Sequence, residues 1–318
     1  MIVEVTRGGV VESVHPVSTV VWRDGVVDAS GDVERAVYGR SALKPAQTVA
    51  VLEAGAEPAG FELAGFEPAG LELTDAEVAI ASGSHSGEPG HLDAVAALLA
   101  RHGLTADALR CPPDLPLGVD ASHAFLAAGG APSSIAMNCS GKHAAMLTAA
   151  GGSPTYLDPD GLLQRRVRAV VERLAGPVLA ASVDGCGAPA FATSLASLAR
   201  LAARLVAAVD GSPEHRVAGA MRAHPWLVAG TGRLDTVLMT EVPGSLAKIG
   251  AEGVLLAALP GGTAVAIKVD DGASRAVGPA LLEVMRRVGV DVPSRLAAVA
   301  SPPVLGGGRP VGEMRARP

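Results

Sequence analysis

The chain has 318 residues, 49% hydrophobic and 18% charged, with a formal net charge of −6. That composition supplies a sizeable core and excludes a disordered chain, while mild acidity, the lack of a basic run and 3% aromatic residues exclude a nucleic-acid binder. No apolar run is long enough to span a bilayer.

Glu4 and Arg7 interrupt what would be the apolar core of an export signal. The three cysteines, Cys111, Cys139 and Cys186, are few and odd in number, so reduced thiols in a cytoplasmic protein are expected. Of the 26 basic residues only Lys44, Lys142, Lys248 and Lys268 are lysine. Arginine cannot be deprotonated and lysine can. In a chain that defaults to arginine, each lysine is a candidate for amine chemistry.

In chain order, residues 2–28 alternate and are rich in valine, which predicts a meander of two or three strands with turns at Gly8-Gly9 and Asp24-Gly25. Arg40-Ser41-Ala42-Leu43-Lys44-Pro45 follows and leads into an apolar helical pattern. Ser41 and Lys44, three apart at a helix start, lie on one face, where a lysine amine can take the proton of a serine hydroxyl and make a nucleophile. Such a Ser-x-x-Lys box is known from acyl-serine enzymes. Residues 57–73 carry a short internal repeat, expected to lengthen a surface loop.

The apolar run Ala76 to Ser82 predicts a buried strand, followed by the small-residue loop Ser82 to Pro89 and a helix from Gly90 to Arg101. Ser84 in that loop is a second candidate hydroxyl, although Pro89 and its serines also suit an ordinary helix cap. His85 reads as a structural hydrogen-bonding residue, and Cys111, among prolines, has no assigned role. Asn138-Cys139-Ser140-Gly141-Lys142-His143 opens a helix through Ala150, and Cys139 and Lys142 repeat the three-residue spacing. Cys186 ends another apolar run. Two thiolates suit a zinc site, and two buried thiols serve equally as small hydrophobes; spacing leaves both open. Residues 190–223 predict two amphipathic scaffold helices. Val254 to Leu259 and Ala264 to Val269 are apolar strand candidates around a Gly261-Gly262 turn, the second holding Lys268, whose pKa burial would lower. A helix from Gly278 to Gly289 and a closing segment, Val304 to Met314, end the chain.

The ordered set Arg40-Ser-Ala-Leu-Lys-Pro-Ala-Gln, Ser84-His-Ser-Gly-Glu, Asn138-Cys-Ser-Gly-Lys-His, Asp184-Gly-Cys-Gly-Ala-Pro, Gly230-Thr-Gly-Arg, Lys248-x-Gly-Ala-Glu-Gly and Ile267-Lys268 closely resembles the asparaginase II family, the group of the inducible Rhizobium-type L-asparaginase. The likeness spans nearly the whole chain. It implies a single catalytic domain over residues 1–318 with an α/β (α+β layered) fold, a central mainly antiparallel sheet flanked by helices, similar to serine β-lactamases and glutaminases. It implies hydrolysis of L-asparagine by two Ser–Lys pairs, Ser41 with Lys44 and Ser84 with Lys268, Ser41 being the nucleophile. Substrate binding falls on Arg40, His143 and Asp184, and a zinc ion on Cys139, Lys142 and Cys186. The family implies a homodimer. Gly39, Ala46 and Ser82-Gly83 depart from the usual family residues.

Two other classes stay open. An acyl-serine enzyme acting on another amide, glutamine or a β-lactam, would usually carry a Lys-Thr-Gly box; here Lys248 is followed by Ile-Gly and Lys268 by Val-Asp. A non-catalytic amino-acid-binding homologue would have no need of all four Ser–Lys residues.

Overall fold

The computed structural model describes residues 1–55 and 71–318, so the repeat expected to lengthen a loop lies, but for its last three residues, outside the described residues. The strands are β1 (Ile2–Arg7), β2 (Val10–Trp22), β3 (Val26–Ser30), β4 (Ala36–Tyr38), β5 (Ala180–Val183), β6 (Pro189–Ser194), β7 (Leu246–Gly250), β8 (Val254–Leu259), β9 (Thr263–Val269), β10 (Val304–Gly306), β11 (Arg309–Gly312) and β12 (Met314–Arg317). The helices are α1 (Lys44–Gly55), α2 (Asp75–Ala81), α3 (Pro89–Arg101), α4 (Val119–Ala127), α5 (Ser140–Ala149), α6 (Leu162–Leu174), α7 (Leu195–Val206), α8 (Pro213–Ala223), α9 (Pro225–Val228), α10 (Leu234–Glu241), α11 (Val277–Arg287) and α12 (Ser294–Ala300). The α/β class and the mainly antiparallel sheet are as expected.

Two compact units share the chain. One comprises Met1–Ala42, Ala192–Ala207 and Gly232–Pro318; the other comprises Leu43–Phe191 and Ala208–Thr231. The chain passes between them four times, so neither unit is one continuous segment.

The first unit is built on a seven-stranded sheet in the order β12-β1-β2-β9-β8-β7, with β3 also paired to β2. The expected N-terminal meander is β1 to β3, turning where the two glycine signals stand. The Val254 and Ala264 runs become β8 and β9, antiparallel neighbours deep in the sheet. All six residues of β8 are buried, which is why this strand reads as a continuous apolar run rather than an alternation. Helix α7 packs on β2, β8 and β9, and α11 on β1, β9 and β12. On α7, Leu195, Leu198, Leu201, Ala202 and Leu205 are buried at helical spacing, and each leucine contributes about 1.5–3 kcal/mol by leaving water. The closing segment forms the hairpin β10–β11 and then β12, which pairs with β1 along the sheet edge.

The second unit is helical around α1, which packs against α5, α6 and α8. Two expectations are corrected. The run expected as a strand from Ala76 is helix α2: Thr74 accepts from the backbone N–H of Glu77, and the Glu77 carboxylate accepts from the backbone N–H of Thr74. That reciprocal cap is a Thr-x-x-Glu helix start, and complete burial of Val78 to Ala81 leaves no polar face to mark the helical period. The expected pair of helices over 190–223 begins instead with strand β6, because Ser194 caps α7 by accepting from Ser197 N–H and sets the helix start five residues later.

Candidate functional site

Lys44 opens α1, directly after a single 3-10 turn over Arg40–Leu43 that holds Ser41. Arg40 in that turn has φ +50°, a left-handed conformation a side chain adopts at a cost. Ser41 is half-buried; Lys44 is only 1% exposed. Its Nζ donates to the carbonyl of Gly83 and, at 2.9 Å, to the hydroxyl of Ser84. Ser84 sits in the loop between α2 and α3, and this loop is stitched down residue by residue. Ser84 N–H donates to Val228 O at 2.8 Å, His85 N–H to Asn138 O at 3.2 Å and Ser86 N–H to Ala229 O at 2.7 Å. A loop with these three backbone donors satisfied holds its hydroxyl at a fixed point.

The His85 ring is fully buried and ties this loop to α5. Ser140 Oγ spends its one proton on Ile135 O at 2.8 Å, so the 2.9 Å contact between His85 Nε2 and Ser140 Oγ has the imidazole as donor. His85 stacks on His91, ring centroids 5.3 Å apart, and His91 stacks on Trp226 at 3.9 Å. Burial, then the charges of His91 and Lys44, push His85 well below the ordinary imidazole pKa, and burial lowers His91 as well.

Beside Lys44 lies a sulfur–amine cluster. Lys142 Nζ donates to Cys186 Sγ at 3.0 Å, and Cys139 and Cys186 share a hydrogen bond. That shared bond, reinforced by Lys44 and Lys142 against the opposing effect of burial, holds Cys139 well below the ordinary thiol range; the same bond, with burial, raises Cys186. Burial opposes the charge on Lys142, but Cys186, Cys139 and Asp184 outweigh it and raise its pKa. Cys111 donates to Ser134 O at 3.3 Å, and burial, with the charge of Cys139, pushes its thiol up to about 11.

His143, one residue beyond Lys142, is fully buried, and its Nδ1 lies 2.8 Å from the Tyr156 hydroxyl. Asp184 accepts at Oδ1 from Gly185 N–H at 2.7 Å and is half-buried. In the first unit, Lys268 lies in β9 between β2 and β8, not at an edge, and donates to Glu252 O at 2.6 Å and Val269 O at 2.5 Å. Burial first, then the neighbouring charge of Arg35, lowers its pKa, in the direction expected from the sequence. Lys248, fully buried, donates to Ile249 O at 2.7 Å and stands 3.7 Å from Asp235 Oδ2.

Thus Lys44 meets Ser84, and Lys142 meets Cys186, which is hydrogen-bonded to Cys139. Sequence reasoning missed Tyr156 and Ser140, which orient two buried histidines. Tyr156 carries one usable signal: it is one of two tyrosines in the chain. Ser140 carries none, because its role depends on where Ile135 and His85 fold.

A layered α/β protein with a serine hydroxyl on a buried lysine amine has the groups of a hydrolase acting on amides. The family model described as L-asparaginase II matches residues 3–316, and the chain belongs to that family. No curated protein matched the sequence. Family membership carries an L-asparaginase type of function with a small-molecule amide substrate. No helix among the described residues is long and apolar enough to cross a membrane.

Proposed function

We propose that the protein is an L-asparaginase that hydrolyses L-asparagine to L-aspartate and ammonia through an acyl-serine intermediate. The observation that carries this reading is the buried contact between Lys44 Nζ and Ser84 Oγ at 2.9 Å. A lysine acts as a base only as the free amine. In that form Lys44 takes the proton of Ser41, its neighbour one turn back along the chain. Ser41 Oγ attacks the side-chain amide carbon, and the C=O pair moves to oxygen, where backbone N–H groups at the start of α1 stabilise the charge. The C–N bond then breaks, and the proton reaches the departing nitrogen through the Ser84 hydroxyl, releasing ammonia. Water adds to the acyl carbon by the same route in reverse and frees aspartate and Ser41. The family resemblance gives Lys268 a supporting role at Ser84, and Arg40, His143 and Asp184 a role in holding the substrate.

The Lys44–Ser84 contact equally favours Ser84 as the attacking oxygen. Trapping decides: brief incubation with asparagine, acid quench and peptide mass analysis places the acyl group on one serine. Ser41→Ala should abolish ammonia release while the protein stays folded; near wild-type release would overturn Ser41 as nucleophile. No ammonia from asparagine with wild-type protein would overturn the whole reading. Comparing glutamine in the same assay sets the preference.

Among the described residues no group of three or more His, Cys, Asp or Glu side chains stands ready to hold a metal ion. A donor set that admits lysine is different. Cys139 and Lys142, each hydrogen-bonded to Cys186, supply with it two sulfurs and a nitrogen, which suits a thiophilic ion such as zinc. Bound there, zinc would supply a positive centre for a substrate oxygen. The protein's own groups carry the proton transfers.

A homodimer belongs to the same proposal. Every residue of β5 is exposed, Val183 at 72% and the preceding Leu179 at 52%, and apolar strand residues of this kind suit burial against a second copy. Light scattering that gives a monomer at assay concentration would count against it.

A further inference from the structure

We infer that Tyr156 is a positioning residue that fixes His143 as one neutral tautomer and presents its Nε2–H to a carboxylate oxygen of the substrate; this deepens the asparaginase reading and rests on it for the ligand. The wiring follows from counting protons. The Arg110 backbone N–H donates to Tyr156 Oη at 2.9 Å. The tyrosine oxygen is therefore already an acceptor, and its own single proton goes to its other partner, His143 Nδ1, at 2.8 Å. Burial raises the hydroxyl's pKa, so that proton stays in place. With Nδ1 accepting, a neutral imidazole must carry its proton on Nε2.

That Nε2–H has no hydrogen-bond partner and is buried. Buried polar groups are nearly always paired, and an orphan in a cluster of charged side chains asks for an explanation. The neighbourhood supplies one. His143 follows Lys142 on α5, and its ring is fully buried. A buried neutral N–H held at one point suits an anionic oxygen. In the other tautomer Nε2 would turn a lone pair toward that anion and repel it, so a free ring that populated both forms would waste part of its binding strength. Tyr156 removes the wrong form. The rings meet edge to face, 82° apart with centroids at 5.6 Å, a favoured geometry for two aromatic rings.

The test has a spectroscopic and a binding arm, both on the full chain. In ¹⁵N-histidine-labelled protein, with His143 assigned by its loss in His143→Gln, wild type should show an unprotonated Nδ1 and a protonated Nε2. Tyr156→Phe should move both toward an average of the two tautomers. By calorimetry, Tyr156→Phe should weaken L-aspartate about tenfold, the scale of one misdirected hydrogen bond to a charge. His143→Gln keeps a donor at the same reach and needs no tyrosine, so adding Tyr156→Phe to it should change aspartate affinity no further. If Tyr156→Phe does not fold, His143→Gln against His143→Phe decides, only the phenylalanine losing affinity. An unchanged tautomer pattern or unchanged aspartate affinity in Tyr156→Phe overturns the inference, as does equal affinity of the two His143 variants. Wild-type protein that binds no aspartate would sink the asparaginase reading and the carboxylate assignment together, while the nitrogen spectrum would still decide the wiring.

Discussion

Lys44 and Ser84, forty residues apart in the chain, meet through a 2.9 Å hydrogen bond inside a buried site. The lysine is held from two directions, by that hydroxyl and by the carbonyl of the preceding residue, Gly83. Its amine thus has a fixed position, with Cys139 as a further neighbour. Lys44→Met should keep much of the packing and remove the base, lowering kcat by about 10²–10⁴, the usual worth of positioned proton transfer. Lys44→Arg keeps the charge but cannot give up its proton, and should lose as much. A Lys44→Arg protein that releases ammonia within tenfold of wild type would show that Lys44 serves as a fixed cation instead of a base.

The sulfur–amine cluster makes a metal prediction with a definite pH sign. A lysine or cysteine must lose its proton to bind an ion, and Lys142 and Cys186 both hold theirs more tightly than usual. Zinc affinity should therefore rise steadily with pH between 6 and 9, by about one decade per pH unit for each proton displaced. Cys186→Ser should lower the zinc content measured after dialysis while leaving some turnover. A wild-type stoichiometry in that variant would exclude Cys186 as a ligand.

The reasons some features were legible in the sequence and others were not are physical. The scarcity of lysine pointed to chemistry, and three of the four, Lys44, Lys142 and Lys248, are indeed buried with partners. Strands β8 and β9 were readable because an apolar run between glycine turns has few alternatives. Helix α2 was not, since burial on all sides erased its period; only the Thr74/Glu77 cap betrayed it. Helix α6 does carry a helical stripe, Gln164, Val167, Val170, Val171 and Leu174, but its first buried member is a glutamine, and five charged residues disguise it as surface. The division into two units was invisible, because the chain returns to each unit after leaving it and no linker composition marks a boundary. The Tyr156–His143 contact depends on long-range packing that no spacing encodes.

Stability should fall on the acid side well before the carboxylates titrate. Burial keeps the folded pKa values of His85 and His91 below the unfolded value of about 6.5. Above that pH both states hold these rings neutral and nothing changes. As pH falls through it, the unfolded chain takes up protons that the folded chain refuses, so folding stability declines until the lowered folded values are reached. The slope approaches about 1.4 kcal/mol per pH unit for each ring. Urea unfolding at steps from pH 7.5 to 5 should show the loss. Equal stability across that range would mean that the rings are protonated in the folded protein, against the burial seen for both.

Gly141 decides how closely α5 approaches α2. A Cβ at this position would lie 2.5 Å from the carbonyl oxygen of Ile80 and 2.9 Å from that residue's side chain. In an isolated helix alanine is favoured over glycine by about 1 kcal/mol, so propensity alone predicts that Gly141→Ala stabilises. The contact reverses the sign: the atom in the way is backbone and cannot rotate aside, and overpacking of this kind costs about 1–3 kcal/mol. Gly141 lies between Cys139 and Lys142, so relief by sliding α5 would carry both away from Cys186. Gly141→Ala should therefore lower the unfolding midpoint, and it should reduce zinc content and turnover even under conditions where the variant is fully folded. A variant as stable as wild type, with unchanged zinc and rate, would show that α5 can retreat without disturbing the cluster.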